Sequence, residues 1–267
     1  MSDERVAELS DVTRTYGGVA VLEDVSVDVR PGVTAVIGPN GSGKSTLLGV
    51  LSGAVEPTDG QSRYVGPDTS RPIGYLPQRV PFREEFTARE TLAFYVRLVA
   101  ADAADPEDVA DPEEALDRVG LADAADRRVG ALSGGMRRLL GIAQATVGEP
   151  PLVVLDEPAS GLDPGTRERA FRTATDASGS GTAVVVSSHD LELVDEHADR
   201  VVVLDRGRVV AAGPLERLCS EHGVDDVSGL YRAVVAGDAT GEDDGNGGDG
   251  GDGEEPTAVH VTGVSER

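Results

Sequence analysis

Lysine is almost missing from this sequence: of 24 basic residues, Lys44 is the only lysine and arginine supplies the rest. Cysteine occurs once, at Cys219, which excludes an intramolecular disulfide and fits a reducing compartment. In its surroundings that residue reads as a small apolar filler on a helix. No apolar run approaches the roughly 20 residues a membrane-spanning helix needs, so a soluble chain is expected. The opening Met1-Ser2-Asp3-Glu4-Arg5 is charged and no apolar segment follows it, so no secretory signal is expected. Internal repeats and coiled-coil heptads are likewise missing.

Positive charge is the other shortage. The formal net charge is −24, and residues 237–267 hold nine acids against one arginine. The first 236 residues still carry 39 acids against 23 bases, so the part expected to fold is itself strongly acidic. This balance argues against nucleic acid as a ligand. It also makes a compact chain repel itself in dilute buffer. At about 1 M salt the Debye length falls to roughly 3 Å and that cost largely vanishes. An acidic docking face predicts one localised patch, whereas these acids are spread along the chain. With lysine so scarce, the composition reads as that of a high-salt cytoplasm.

Against these absences stands one dense stretch, Val33 to Leu48. Val33–Ile37 is a short, largely β-branched run and reads as a buried strand. Gly38, Pro39, Asn40, Gly41, Ser42, Gly43, Lys44, Ser45 and Thr46 follow, fitting G-x-x-x-x-G-K-[ST]. Glycines let the backbone curl so that several N–H groups face phosphate oxygens, and the helix after them adds its positive end. Lys44 can reach the β and γ phosphates and the Ser45 hydroxyl can hold Mg²⁺. The dinucleotide fingerprint fails here, because Thr46 stands where its third glycine belongs. The one lysine is thus kept where phosphate chemistry uses it.

In order along the chain, Arg5–Arg30 alternates apolar and polar residues and predicts antiparallel strands with one solvated face. Tyr16 lies in a turn-like stretch between two of them, where a half-buried strand-end aromatic is an equal reading. A helix is expected from Lys44 to Ser52, closed by Gly53, then a turn and strand through residues 56–66. Ile73–Pro77 predicts a short strand leading to Gln78. From about residue 83 to 148 the periodicity is helical. Leu92, Tyr95, Val96 and Val99 share a face, Asp111-Pro112 opens a second helix, and Ser133-Gly134-Gly135 opens a third. The third carries a stripe of Met136, Leu139, Leu140, Ala143 and Val147. Residues 151–156 and 182–188 are unbroken apolar runs, as expected of strands covered on both faces. Asp163-Pro164 caps a helix between them. Two strands and a helix from about Pro214 follow, and residues 237–267 are Gly- and Asp-rich and expected to be disordered.

Hydrolysis requires more than a phosphate loop: a carboxylate for Mg²⁺ and a group that orients water. Asp156 ends a buried strand and suits the metal; Glu157 directly follows it and suits the base. His189 closes another apolar strand. The loop of residues 38–46, Gln78, Leu132-Ser133-Gly134-Gly135, Asp156-Glu157-Pro158, Ser160-Gly161-Leu162-Asp163 and Ser188-His189-Asp190 occur in one order. Residues 5 to about 220 thereby resemble the ATP-binding subunit of ABC transporters. The resemblance implies an α/β P-loop NTPase with a RecA-like core, an antiparallel β subdomain and the helical insertion. It implies that Tyr16 stacks on adenine, that Gln78 senses Mg²⁺ and the attacking water, and that His189 switches with the γ-phosphate. Ser133, Gly134 and Gly135 are expected on the γ-phosphate of ATP held by a second subunit, with Asp163 linking the two sites. In the family the position of Met136 is usually glutamine, so a polar contact from it is in doubt; it also heads the helix's apolar stripe. The stretch LSGGM followed by arginines is similar to exporter ATPases that pair with separate permeases.

The implied partners are a second ATP-binding subunit and a transmembrane permease, met near Gln78 and the helices from Phe82 onward, at the cytoplasmic face of the membrane. A soluble ATPase of the family, such as one of iron–sulfur assembly, stays open at this level. A non-hydrolysing regulatory subunit is disfavoured, because Lys44, Asp156 and Glu157 are all present. The charge balance makes its own prediction. The chain loses structure when salt is diluted to tens of millimolar, where the Debye length exceeds about 10 Å. Circular dichroism across a potassium chloride series checks this; equal stability at low and high salt refutes the high-salt reading.

Overall fold

The computed structural model describes residues 4–102, 111–178 and 181–237. Its centre is a six-stranded sheet in the order β5-β6-β7-β3-β8-β9, made of β3 (Gly32–Ile37), β5 (Ile73–Leu76), β6 (Leu152–Leu155), β7 (Ala183–Ser187), β8 (Arg200–Asp205) and β9 (Arg208–Pro214). All neighbours pair in parallel except the hairpin β8–β9. These strands read as unbroken apolar runs because both faces are covered. Ala35, Val153, Val184 and Val203 point into one core with the helices, while Val36, Val154, Val185 and Val202 point into a second. That second core is closed by α1 (Lys44–Leu51) and a three-stranded antiparallel sheet, β2-β1-β4, formed by β1 (Ala7–Tyr16), β2 (Val19–Val29) and β4 (Asp59–Tyr64).

The alternation expected of β1 and β2 holds with one physical amendment. Leu9 and Val12 are both buried although three residues apart, and so are Leu22 and Val25. Irregular register breaks the pairing there, and Asp11 and Asp24 each take φ 52°. Bulges of this kind restore the inward direction after an extra residue.

The helical region contains α2 (Ala88–Asp102), α3 (Pro112–Arg118) and α4 (Gly134–Thr146). Thr87 and Glu90 form a capping box at the start of α2: Glu90 N donates to Thr87 Oγ1 at 3.1 Å and Thr87 N to Glu90 Oε2 at 2.8 Å. Asp111 caps α3 by accepting from Glu114 N at 3.0 Å. Helix α4 is buried more widely than a stripe. Leu139, Leu140, Ile142, Ala143, Ala145 and Val147 are all 3% exposed or less, because neighbours cover it on several sides. Arg71 holds its far end, donating to the carbonyls of Gln144 and Val147, the polarity that suits a helix C-terminus.

Helix α5 (Pro164–Asp176) begins where expected, with Asp163 accepting from Thr166 N. Two further helices, α6 (Leu191–His197) and α8 (Val227–Gly237), were not expected from the sequence. The stretch LELVDEH is too short and too acidic to show periodicity, and its start is set by the Asp190 side chain accepting from Leu193 N. Cys219 is buried on α7 (Leu215–His222), as a filler should be, and burial together with nearby Asp195, Asp226 and Asp225 pushes its thiol pKa up. The expected disordered tail lies, after Gly237, outside the described residues.

Gly74 is fixed by contact rather than by conformation. A Cβ at Gly74 in β5 would sit 1.9 Å from the Ala145 carbonyl oxygen, where α4 crosses the strand. Overpacking of this sort costs about 1–3 kcal/mol. Gly74→Ala therefore lowers the melting temperature by roughly 2–12 °C in a thermal scan, and an unchanged melting point contradicts this packing.

Candidate functional site

The parallel register brings four strand ends to one level. Leu76 pairs with Leu155, Leu155 with Val186, and Val36 with Ser187. The residues that follow, Gln78, Asp156-Glu157, Ser188-His189 and the loop from Gly38, leave the sheet side by side. This is the carboxyl edge at which open α/β sheets bind ligands.

The loop of residues 38–46 wraps tightly. Gly38 (φ 158°) lies against the Leu204 carbonyl, and a Cβ there would approach it to 2.0 Å. At Gly43 (φ 104°) a Cβ would meet the Val21 carbonyl at 2.7 Å. Gly41, at φ 81°, has open space where its side chain would stand. Lys44 starts α1, is 7% exposed, and its Nζ donates to the carbonyls of Gly38 at 2.8 Å and Pro39 at 3.0 Å. Burial lowers its pKa, and the carboxylates of Glu157 and Asp156 pull it back up. The buried Ser42 Oγ has no protein partner among the described residues. An open glycine, an orphaned hydroxyl and a helix N-terminus behind a lysine suit a polyphosphate.

Asp156 is 2% exposed, and its Oδ1 accepts from Ser187 Oγ at 2.7 Å. Its other oxygen has no hydrogen bond from a described residue. With the exposed Ser45 hydroxyl and the Gln78 amide, the donor set is all oxygen. No cluster of three or more His, Cys, Asp or Glu side chains suited to a metal occurs among the described residues. Few, hard, oxygen donors beside a phosphate cradle fit Mg²⁺, which keeps waters and takes phosphate oxygens.

Glu157 adopts φ 48°, a left-handed conformation that costs a non-glycine residue about 1–3 kcal/mol unless its surroundings impose it. Its N–H donates to Ser187 Oγ at 2.8 Å. Its carboxylate faces Gln78 Nε2 at 3.5 Å and His189 Nδ1 at 3.8 Å. His189 is 56% exposed at the side chain and Glu157 is 14% exposed, so one carboxylate sits at the rim of the site with an open histidine beside it. Lys44, Asp156, Glu157, Gln78 and His189 are therefore one cluster.

The remaining expected residues form other groups. Ser133 caps α4, its Oγ accepting from Met136 N at 3.2 Å, and Gly134 is open to solvent. Gly135 packs against Thr166, where a Cβ would meet Cγ2 at 2.5 Å. Since Asp163 caps that same Thr166, Ser133–Gly135 and Asp163 stand together. Hydrogen bonds from Thr166 hold the exposed Asp163 carboxyl below its ordinary pKa. No hydrogen bond or ion pair among the described residues joins this second group to residues 38–46. Met136 is half-buried against the core, consistent with packing rather than polar contact. Tyr16 is 46% exposed, at the β1–β2 turn, where it pairs with Val19. Arg14 lies 4.4 Å above one face of its ring. The turn stands near the phosphate loop, because Val21 packs on Gly43 two residues beyond Val19.

Two residues escaped the sequence reading. Ser187 is fully buried and bridges Asp156 to Glu157. Its signal was a hydroxyl ending an otherwise apolar strand. Arg138, from α4, reaches the main chain of the loops after β5 and β6. As the second of two adjacent arginines it entered only the likeness to exporter ATPases, and nothing in its spacing pointed to these loops.

Fold and site together define a P-loop nucleotide-binding protein with a helical insertion. Residues 22–160 match the ABC transporter family. Over 227 residues the chain is 37% identical to the daunorubicin resistance ATP-binding protein DrrA3 of Streptomyces coeruleorubidus, covering 82% of this chain and 71% of that protein. It is 39% identical over 236 residues to the hemin import ATP-binding protein HmuV of Rhodococcus jostii, covering 85% and 81%. Among solved structures, an ATP-binding subunit of an ABC transporter superposes with a TM-score of 0.71 at 28% identity, over 86% of this chain and 99% of that one. A dimeric ATP-binding cassette bound to ADP and Pi superposes with a TM-score of 0.67 at 25% identity, over 78% and 98%. The chain belongs to the ABC transporter family and is an ATP-binding subunit of it. No described helix is long and apolar enough to cross a membrane.

The Ser187 bridge can be tested directly. Ser187→Ala leaves the Glu157 N–H without a partner inside the protein, which costs about 1–3 kcal/mol. ATP turnover is expected to fall on the order of tenfold or more, with nucleotide affinity little changed. A steady-state assay beside a nucleotide-binding titration separates the two; unchanged turnover rejects the bridge as part of the site.

Proposed function

We infer that this chain hydrolyses ATP to drive a separate transmembrane permease, acting as a face-to-face dimer with two composite sites. The observation that carries the reading is the division of its functional residues. Lys44, Asp156, Glu157, Gln78 and His189 converge at the sheet edge, while Ser133–Gly135 and Asp163 group elsewhere and engage none of the phosphate-loop residues of their own chain. Two copies, each offering its second group to the other's phosphate loop, make both groups useful.

In this reading residues 38–46 cradle the phosphates, Lys44 offsets charge at the β and γ positions, and Tyr16 stacks on adenine with the ring face that Arg14 leaves open. Ser45, Asp156 and Gln78 would hold Mg²⁺, which would supply positive charge beside the phosphates. Glu157 orients the attacking water and accepts its proton, and His189 contacts the γ-phosphate. Ser133, Gly134 and Gly135 bind that phosphate from the partner, and Asp163 couples the two sites. Residues 83–148 act as a helical subdomain that moves with closure.

The permease contact is proposed beside Gln78. A cleft of about 270 Å³ lies there, lined by Gln78, Val80, Phe82, Glu84 and Arg137 among others. On α2 nearby in sequence, Phe94 and Leu98 are 55% and 56% exposed, an apolar surface a partner can cover. The proposed direction is outward, supported by the likeness of LSGGM and its arginines to exporter ATPases. Overall identity does not carry it, since relatives named for resistance and for import match equally well. The site is proposed to work at the cytoplasmic face of the membrane of a high-salt cell.

Glu157→Gln is the deciding variant. It keeps the shape and removes the base, so turnover falls on the order of 10²–10⁴-fold while ATP binding persists. ATP-locked dimers then accumulate and elute earlier in size-exclusion chromatography with ATP and Mg²⁺. Turnover at the wild-type rate removes Glu157 from the mechanism.

A further inference from the structure

Arg138 stands on α4, one turn beyond Ser133–Gly135, and its guanidinium is spent entirely on main-chain carbonyls. Nη1 donates to Pro77 at 3.0 Å and Gln78 at 2.9 Å. Nη2 donates to Glu157 at 2.7 Å and to Asp156, and Nε donates to Pro158 at 3.2 Å. Five acceptors from two loops thus converge on one cation. The loops are neighbours because β5 and β6 pair in register up to Leu76 and Leu155. Carbonyl dipoles that converge in this way repel unless a cation lies among them. Arginine alone among side chains offers five N–H donors in a fixed plane and stays charged when buried.

The arrangement bears on Glu157 in particular. Its left-handed main chain is gripped on both sides, the N–H by Ser187 Oγ and the carbonyl by Arg138 Nη2. A strained conformation lasts only where its surroundings over-determine it. The same guanidinium holds the carbonyl of Gln78, whose amide faces the Glu157 carboxylate. Arg138 touches neither carboxylate of the site by hydrogen bond; it acts through the backbone.

We propose that Arg138 is a positioning residue for hydrolysis: it sets Glu157 and Gln78 relative to one another and ties both to α4, whose N-terminus carries Ser133–Gly135. The proposal rests on the reading of Glu157 as the water-orienting group. A shift of α4 when a partner's nucleotide engages Ser133–Gly135 then moves the Glu157 main chain of the same subunit, so each site is readied by occupancy of the other. Burial lowers the Arg138 pKa while Asp156 and Glu157 raise it, in keeping with a cation held beside, but not on, the carboxylates.

The test uses the full chain in concentrated potassium chloride, with Arg138→Lys and Arg138→Met made alone and with Glu157→Gln. Lysine keeps the charge but loses the planar fork. Arg138→Lys should lower kcat on the order of tenfold and Arg138→Met on the order of a hundredfold, each with KM within about threefold of wild type. Combined with Glu157→Gln, Arg138→Met should reduce turnover no further than Glu157→Gln alone, because both act on one step. A rise in KM at unchanged kcat, or losses that multiply in the double variant, overturns the positioning role. Should Arg138→Met fail to fold by circular dichroism, Arg138→Lys decides by the same split between kcat and KM. Wild-type turnover in Glu157→Gln overturns the underlying reading and the proposal with it. Wild-type turnover in both Arg138 variants beside an inactive Glu157→Gln overturns the proposal alone.

Discussion

Parallel pairing of β5, β6, β7 and β3 in one register is the constraint on which the site depends, because each strand end releases a different chemical group at the same height. A slip of one residue between β6 and β7 would carry Asp156 away from the Ser187 hydroxyl and turn the buried valines to the opposite faces. The two cores, one against the helices and one against α1 and the antiparallel sheet, hold that register by making such a slip cost every inward side chain at once. The geometry of the site is therefore a product of hydrophobic burial some distance from it.

On this frame the charges are arranged with little to spare. One buried lysine faces two carboxylates, and a polyphosphate adds further negative charge. Backbone N–H groups at the start of α1 offset part of that charge. Two of the chain's arginines, Arg71 and Arg138, bind carbonyls rather than acids, at opposite ends of α4. A chain with a net charge of −24 also repels an incoming nucleotide at long range. Concentrated salt shortens that repulsion to a few ångströms without weakening contacts made inside the cradle.

Much of this was legible in the sequence. The phosphate loop, the paired acids after an apolar run and the histidine after another are local patterns, and the strands and caps that position them follow from periodicity and from Asp111, Ser133 and Asp163. What was not legible is relational. Arg138 matters because β5 and β6 are neighbours, a fact of strand order that no spacing along the chain reveals. Ser187 matters because it ends beside Asp156, from a strand thirty-one positions away. The bulges at Asp11 and Asp24 hid part of the alternation, and α6 was too brief to show a period. The exposed Phe94 and Leu98 followed the helical pattern of α2 but not its buried side, a distinction set by what the rest of the fold covers.

The buried Cys219 has a use outside the mechanism. Thiol reagents attack the thiolate, and here burial and three neighbouring aspartates push the thiol pKa up. The native chain is accordingly close to a silent background for maleimide or nitroxide chemistry. A cysteine introduced at an exposed position such as Ala131, just before the start of α4, becomes the dominant reactive thiol. A spin or fluorophore pair placed there in two subunits would read the distance between them by resonance, so the proposed closing of a dimer can be followed in time without first stripping the protein of its own sulfur.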